Sequence, residues 1–198
     1  MNSPSLPDLA FHLELPKWIT DYLFQQPQYF PTPETRMDLV TTLAQLNIQH
    51  ETGGPFGAGV FRTDTYQLVA PGVNLVLSSR SSIAHAEMVA IMMAQQAIGL
   101  HDLGGPGLPP HELVTSCEPC AMCLGAISWS GVRHLVCGAR GSDAEALGFD
   151  EGPKPDNWAT ALEQRGFTIT VDIGRKRASQ VLQDYVSQGG KVYNGRQQ

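Results

Sequence analysis

The chain is short of basic side chains. Among its 198 residues, 13 lysines and arginines stand against 19 aspartates and glutamates, and the formal net charge is −6. A protein that grips a phosphate backbone usually carries a basic stripe. The nearest approach to one is the run at residues 175–177, which is typical of a solvated helix start. The charge balance therefore argues against a nucleic-acid partner and for a small-molecule substrate.

Long apolar runs are also missing, so no segment is expected to span a membrane. The N-terminus lacks a basic patch followed by an apolar stretch, and Pro4, Pro7 and Asp8 interrupt it. A secretory leader is therefore not expected. These features predict a cytoplasmic protein with no membrane partner.

Cysteines are few, and three of the four crowd into the seven residues 117–123, with the fourth at Cys137. This spacing is too tight for an ordinary disulfide framework. Clustered cysteines without a secretory leader indicate metal ligands in a reducing compartment.

The composition excludes a disordered chain and a coiled coil, because 42% of the residues are hydrophobic and only 16% are charged. Residues 1–34 are rich in proline and aromatic side chains, which predicts an N-terminal extension packed on the domain. Residues 35–198 are expected to form that domain, with a C-terminal tail. Strand-like and helix-like segments alternate along it, which indicates an α/β fold. Strands are predicted at 59–61, 68–77, 112–116, 134–139 and 167–173, and helices from residues 35, 83, 119 and 175.

Two short motifs carry the chemistry. His85-Ala86-Glu87 lies near the start of the second predicted helix, where Ser81 and Ser82 are the expected caps. Pro119-Cys120-Ala121-Met122-Cys123 opens the third. One imidazole and two thiolates leave the fourth position of a tetrahedral zinc ion open for water, as a catalytic site requires. His85, Cys120 and Cys123 are therefore the predicted ligands of one Zn²⁺ ion per chain.

Glu87 stands two residues past His85 and cannot easily share the metal with it. Its predicted task is to carry protons between water and substrate. Each motif alone has an ordinary alternative, since a lone histidine on an apolar helix can be a core residue and a lone CxxC can be redox-active or structural. Cys117 could add a third thiolate, but we expect it to be buried beside the site, and Cys137 to be a small core residue.

The motifs together match the H-x-E and P-C-x-x-C signature of zinc nucleobase and nucleoside deaminases. The run CEPCAMCLGAISW at 117–129, the segment Gly148–Pro153 and the ending Gly190–Asn194 resemble the guanine deaminase branch of the cytidine deaminase-like superfamily. Within that branch the likeness is to bacterial enzymes that act on guanine and on the triazine ammeline. The resemblance spans about residues 35–195.

This resemblance implies a three-layer α/β/α sandwich with a five-stranded mixed sheet. It also implies a homodimer, in which some members of the family exchange C-terminal segments between subunits. It further implies that Asn74 hydrogen-bonds the base, Trp129 lines the pocket, Phe56 stacks on the ring, and Glu151 handles the leaving amine. Each of these residues also has a structural alternative: a strand end for Asn74, core packing for Trp129 and Phe56, and a plain loop acid for Glu151.

The function that follows is hydrolysis of guanine to xanthine and ammonia. Ammeline or another aminopyrimidine or triazine is the alternative, because all carry an amine on an amidine-like carbon. A tRNA adenosine deaminase would share both motifs but should be more basic. A catalytically silent zinc module is opposed by the retention of Glu87.

Overall fold

The computed structural model describes residues 10–195, so the expectations for residues 1–9 and 196–198 lie outside the described residues. Five strands and eight helices are assigned in this part of the chain. The strands are β1 (Gly57–Arg62), β2 (Leu68–Val73), β3 (His111–Cys117), β4 (His134–Ala139) and β5 (Thr168–Thr170). The helices are α1 (Lys17–Leu23), α2 (Pro33–Gln49), α3 (Val76–Ser79), α4 (Ala86–Ile98), α5 (Ala121–Trp129), α6 (Gly141–Glu145), α7 (Trp158–Glu163) and α8 (Arg175–Ser187).

The strands form one mixed sheet in the order β2-β1-β3-β4-β5. β1 is antiparallel to both β2 and β3, whereas β3, β4 and β5 run parallel. Neighbouring side chains on the central strand β3 enter different hydrophobic clusters: Leu113 packs with the cluster that includes residues of α4 and α5, and Val114 with the cluster that includes residues of α2. The three-layer α/β/α sandwich with a five-stranded mixed sheet is therefore confirmed.

The N-terminal segment packs against the α2 side of the sheet. Ile19 and Phe30 are buried in the same cluster as the α2 side chains. The guanidinium of Arg36 donates to the Phe30 carbonyl at 2.7 Å and pairs with Glu112 on β3 at 2.7 Å, and both charged side chains are buried. Removing one member of such a pair leaves an uncompensated buried charge, so this contact fixes the segment before α2 to the sheet.

Several element boundaries differ from the sequence prediction, including the starts of α2 and α4. α2 begins at Pro33, because Thr32 caps it and proline suits the first helical turn. α4 begins at Ala86, because the Ala84 carbonyl accepts from the Leu75 N–H at 2.9 Å and holds residues 81–84 in a turn. Ser81 and Ser82 therefore do not cap α4. Its N-cap is His85.

β2 ends at Val73, four residues before its predicted end, and the chain turns into α3. Gly72 allows β2 to approach α4 closely, because a Cβ there would collide with the Ala86 carbonyl oxygen. This contact brings the first turn of α4 against the sheet. Among residues 10–195, no helix combines the length and apolar character that crossing a lipid bilayer requires.

Candidate active site

Two helix N-termini meet beyond the end of β3. His85 is the N-cap of α4, and Cys120 is the N-cap of α5. Cys123 lies one turn into α5 and is fully buried. The free N–H groups and the positive dipole end of a helix N-terminus favour thiolates. The fold thus brings together residues that lie 35 and 38 positions apart in the sequence.

The three predicted ligands have the spacing of a metal site. The Nδ1 atom of His85 lies 3.6 Å from the Cys120 sulfur and 3.7 Å from the Cys123 sulfur. A tetrahedral zinc ion with bonds of about 2.3 Å to sulfur and about 2.0 Å to nitrogen separates these atoms by about 3.5 Å. Within residues 10–195, no other group of three His, Cys, Asp or Glu ligand atoms is comparably close. The donor set and its geometry fit zinc.

The pKa values of the two cysteines are shifted in opposite directions. A hydrogen bond with the Cys123 thiol, assisted by His85, lowers the pKa of Cys120 to about 4. The same contact, together with burial, raises the pKa of Cys123. Cys120 is therefore a thiolate, and Cys123 releases its proton when a metal binds.

Cys117 and Cys137 lie outside this cluster, as expected. Cys117 is buried at the end of β3, and its sulfur lies 3.7 Å from the Arg140 carbonyl oxygen. Burial raises the pKa of its thiol, so it stays protonated. Cys137 is fully buried among the apolar side chains of the core.

We therefore predict that the purified protein contains one zinc ion per chain. Cys120→Ser and Cys123→Ser should each lose most of the metal, because serine replaces a thiolate with a poor zinc ligand. Cys117→Ser is the matched control, from the same segment, and should keep a full complement. Elemental analysis of the four proteins gives the answer. Zinc lost in Cys117→Ser but kept in Cys120→Ser would contradict the assignment.

A cavity opens beside the three candidate zinc ligands, and its walls combine acidic and aromatic side chains. Its lining includes His85, Cys120, Glu87, Glu118, Asp150 and Glu151, together with Gly54, Pro55, Phe56, Asn74, Val76, Leu77, Phe149, Tyr185, Lys191 and Tyr193. Of the predicted substrate-binding and catalytic residues, the structure brings Glu87, Glu151, Asn74 and Phe56 to this cavity.

Glu87 lies in the first turn of α4 and is buried. Burial and the nearby Cys120 charge raise the pKa of its carboxyl. Glu151 lies in the loop after α6, and its backbone carbonyl accepts from the Ala121 N–H at 2.9 Å, which ties this loop to the start of α5. Burial raises the pKa of Glu151 to about 7, against the opposing charge of Lys154.

Asn74 lies just beyond β2, and its Oδ1 accepts from the Val76 N–H at 3.3 Å. Its side-chain amide also carries two donors that a ligand carbonyl can accept from. Phe56 packs edge-on against Phe149 with ring centroids 5.1 Å apart, and Phe149 stacks on Tyr185 at 6.5 Å. The aromatic walls suit a flat heterocycle.

The structure does not place Trp129 in this cavity, contrary to the expectation that it lines the pocket. Trp129 is the last residue of α5 and is 88% exposed in the single chain. The cavity meets the N-terminal end of α5. Trp129 lies six positions beyond Cys123, which is about 9 Å along the helix axis. The helix geometry therefore carries this side chain away from the site.

Glu118, which lines the cavity, and Lys154, which pairs with two of its acids, were not predicted from the sequence. Glu118 is buried and accepts from Arg140 and from the Gly141 N–H, both at 3.0 Å. The ammonium of Lys154 lies 3.1 Å from Glu151 and 3.8 Å from Glu118, so one cation joins two cavity acids. The position of Glu118 within the cysteine run was an available signal, whereas Lys154 had none.

The C-terminal segment also reaches this cavity. Tyr193 and Lys191 line it, and the Tyr185 hydroxyl donates to the Lys191 carbonyl at 2.8 Å. Asn194 accepts from the Asp150 N–H at 2.9 Å and donates to the Gly148 carbonyl at 2.7 Å. These two hydrogen bonds attach the segment after α8 to the loop that carries Glu151.

The fold and the ligand cluster together define a zinc-dependent deaminase-type enzyme. Residues 31–139 match the cytidine and deoxycytidylate deaminase zinc-binding region, and the chain belongs to this family. It is similar to the guanine deaminase of Bacillus subtilis, with 38% identity over 118 residues that cover 60% of this chain and 71% of the relative.

Two solved structures are similar over nearly the whole chain. NE0047 in complex with 2,6-diaminopurine has 47% identity, covering 95% of this chain and 98% of that one, with a TM-score of 0.87. A structure of guanine deaminase from Nitrosomonas europaea has 46% identity, covering 92% and 100%, with a TM-score of 0.86.

Proposed function

We propose that this protein is a zinc-dependent aminohydrolase that converts guanine and water to xanthine and ammonia. The observation that carries the proposal is one cavity that adjoins the three-ligand candidate zinc site and is lined by the buried Glu87 and, from a separate loop, the buried Glu151. The similarity to guanine deaminases over most of the chain favours guanine as the substrate.

When bound, zinc supplies Lewis acidity that makes water a competent nucleophile near neutral pH. Glu87 accepts the proton that water gives up as its oxygen attacks C2 of guanine, and passes it to the ring nitrogen next to C2. Its buried position beside the ligand cluster keeps the carboxyl close to both partners. The protein thus supplies general base and general acid from one side chain.

Glu151 then protonates the exocyclic amine, so that the C2–N bond breaks and ammonia leaves. The new C2 hydroxyl returns a proton to the Glu151 carboxylate as it becomes the carbonyl of xanthine. A pKa of about 7 suits this task, because a group that titrates near neutral pH can both give and regain a proton. Lys154 holds the Glu151 carboxyl by its 3.1 Å contact. Two acids divide the proton transfers that one would otherwise perform in sequence.

Asn74 and the aromatic walls hold the base. We infer that the Asn74 amide donates to the carbonyl of guanine and that Phe56 packs on the ring edge or face. These contacts bind substrate without taking part in the chemistry. The side chains of Phe149 and Tyr185 complete the apolar wall behind Phe56.

A substrate panel tests the proposal. Ammonia release should be fastest with guanine, slower with ammeline and cytosine, and absent with adenosine in a tRNA anticodon stem-loop. The zinc-depleted protein is the control. Faster turnover of ammeline than of guanine would make the triazine the substrate, and no ammonia from any base in the zinc-loaded protein would indicate a catalytically silent module.

We also infer a homodimer. α5 contains no charged residue, yet only Cys123 and Ile127 of its nine residues are buried, and Trp129 is largely exposed. Exposed apolar surface of this kind is typical of a protein interface, where tryptophan is enriched. Sedimentation equilibrium should give twice the chain mass, and Trp129→Lys should lower the measured mass.

Exchange of the C-terminal segment between subunits, a cytoplasmic location and a place in purine breakdown stay predictions.

A further inference from the structure

Asn47, in the last turn of α2, ties together two segments that line the cavity. Its side chain is fully buried. Its Nδ2 donates to the backbone carbonyl of Gly54 at 2.9 Å and to that of Asn74 at 2.9 Å. Gly54 and Asn74 both line the cavity, whereas Asn47 is not among the lining residues. One amide thus hydrogen-bonds both to the glycine-rich loop at residues 53–57 and to Asn74, the proposed base-binding residue.

Thr52 fixes the orientation of this amide. The Thr52 hydroxyl donates to Oδ1 of Asn47 at 2.7 Å, and the Thr52 N–H donates to the Asn47 carbonyl at 3.0 Å. The hydroxyl accepts in turn from Nε1 of Trp18 at 3.0 Å. The Trp18 ring stacks on His50 with centroids 5.0 Å apart and planes 8° apart.

The packing at Gly53, beside these hydrogen bonds, is tight. A Cβ at Gly53 would collide with the Asn74 carbonyl oxygen and would lie 2.8 Å from Nδ2 of Asn47. Buried amides whose donors and acceptors are all paired hold one geometry, since any rotation leaves polar groups unsatisfied.

We propose that Asn47 is a positioning residue for guanine binding, and that Trp18 on the N-terminal extension supports it through Thr52. Trp18 lies before residue 31, where the match to the family begins. The extension therefore contributes to substrate binding without touching the substrate. This inference rests on the proposed function, in which Asn74 binds the base.

We call the hydrogen-bonded series from Trp18 through Thr52 to Asn47 the relay. Because the relay ends on Asn74, its loss should weaken guanine binding and leave the proton transfers intact. Neither Glu87 nor Glu151 hydrogen-bonds to any member of the relay. A defect in this network is thus distinguishable from a defect in catalysis by its effect on KM and kcat separately.

The test begins with Thr52→Val, which keeps the side-chain shape and removes the hydroxyl. We expect KM for guanine to rise about three- to tenfold, as loss of one buried hydrogen bond gives, and kcat to change less than about twofold. Trp18→Phe keeps the ring stack and removes Nε1–H, and should give a smaller rise in KM. Thr63→Val is the matched control. Thr63 follows β1, and the substitution removes the hydrogen bond that its hydroxyl donates to the Pro110 carbonyl. It should leave KM unchanged.

A double-mutant cycle then asks whether the effect passes through Asn74. Asn74→Ala should raise KM by itself, and adding Thr52→Val to Asn74→Ala should raise it little further. If Thr52→Val leaves KM unchanged while Asn74→Ala raises it, the positioning role is overturned and the proposed function stands. The positioning role would also be overturned if Thr52→Val and Asn74→Ala raised KM by fully independent factors, or if kcat fell by the same factor by which KM rose. Wild-type protein that releases no ammonia from guanine would instead overturn the proposed function.

Discussion

Glu87→Gln should lower kcat by about 10²–10⁴-fold while zinc content and thermal stability stay close to those of the unmodified protein. The amide has the same shape as the carboxyl but cannot accept a proton from water, and removal of a positioned acid–base group has an effect of this size. Steady-state ammonia release, elemental analysis and thermal unfolding measure the three quantities.

The zinc measurement separates loss of the proton carrier from loss of the metal. A second variant, Glu87→Asp, restores a carboxyl set back by one methylene and should recover part of the activity with zinc retained. Near-normal turnover by Glu87→Gln would show that another group carries the proton, and the mechanism would then be wrong.

Glu151→Gln should lower kcat by about 10²-fold or more, as loss of a positioned general acid does, with little change in the affinity for a non-reactive guanine analogue that lacks the C2 amine. The carboxyl protonates the leaving amine, and a neutral amide cannot. The affinity should hold because Asn74 and Phe56 bind the base from other segments of the cavity wall. Calorimetric titration gives the affinity, and rapid ammonia assays give kcat.

Two neighbouring residues are controls for Glu151. Asp150 is exposed, and its Oδ1 accepts from the Gly152 N–H at 2.8 Å, a contact that asparagine can keep. Asp150→Asn should therefore be nearly silent. Lys154→Met breaks the ion pair while keeping the acid, so it should lose less activity than Glu151→Gln. A silent Glu151→Gln with a crippled Asp150→Asn would make Asp150 the acid, and two silent variants would leave Glu87 acting alone.

The sequence was sufficient to predict the five strands, the candidate ligand set and the approximate positions of four helices, but not α1, α3, α6 and α7. These features depend on local patterns: alternating strands and helices, and two motifs whose side chains are chemically distinctive. His85, Cys120 and Cys123 could be assigned to one metal because the residue types alone define a tetrahedral set with one open position. Their meeting at two helix caps depends on the fold.

The differences arise where tertiary contacts override local preference. Ser81 and Ser82 are good caps by propensity, but the contact between Leu75 and Ala84 holds that segment outside α4. The apolar run after Val73 favours a longer strand, yet Asn74 accepts from the Val76 N–H and the chain turns. Trp129 could not be oriented from sequence, because the direction of its side chain depends on which end of α5 meets the cavity.

The attachment of Asn194 to Gly148 and Asp150 has a practical consequence for anyone who purifies this enzyme. An affinity tag fused shortly after Asn194 adds its bulk next to that attachment. Steric competition there would be transmitted to the Glu151 loop and would resemble a catalytic defect, although every residue that performs chemistry is intact. Kinetic comparisons among variants are therefore best made on protein that carries its tag at the other end or has had it cleaved.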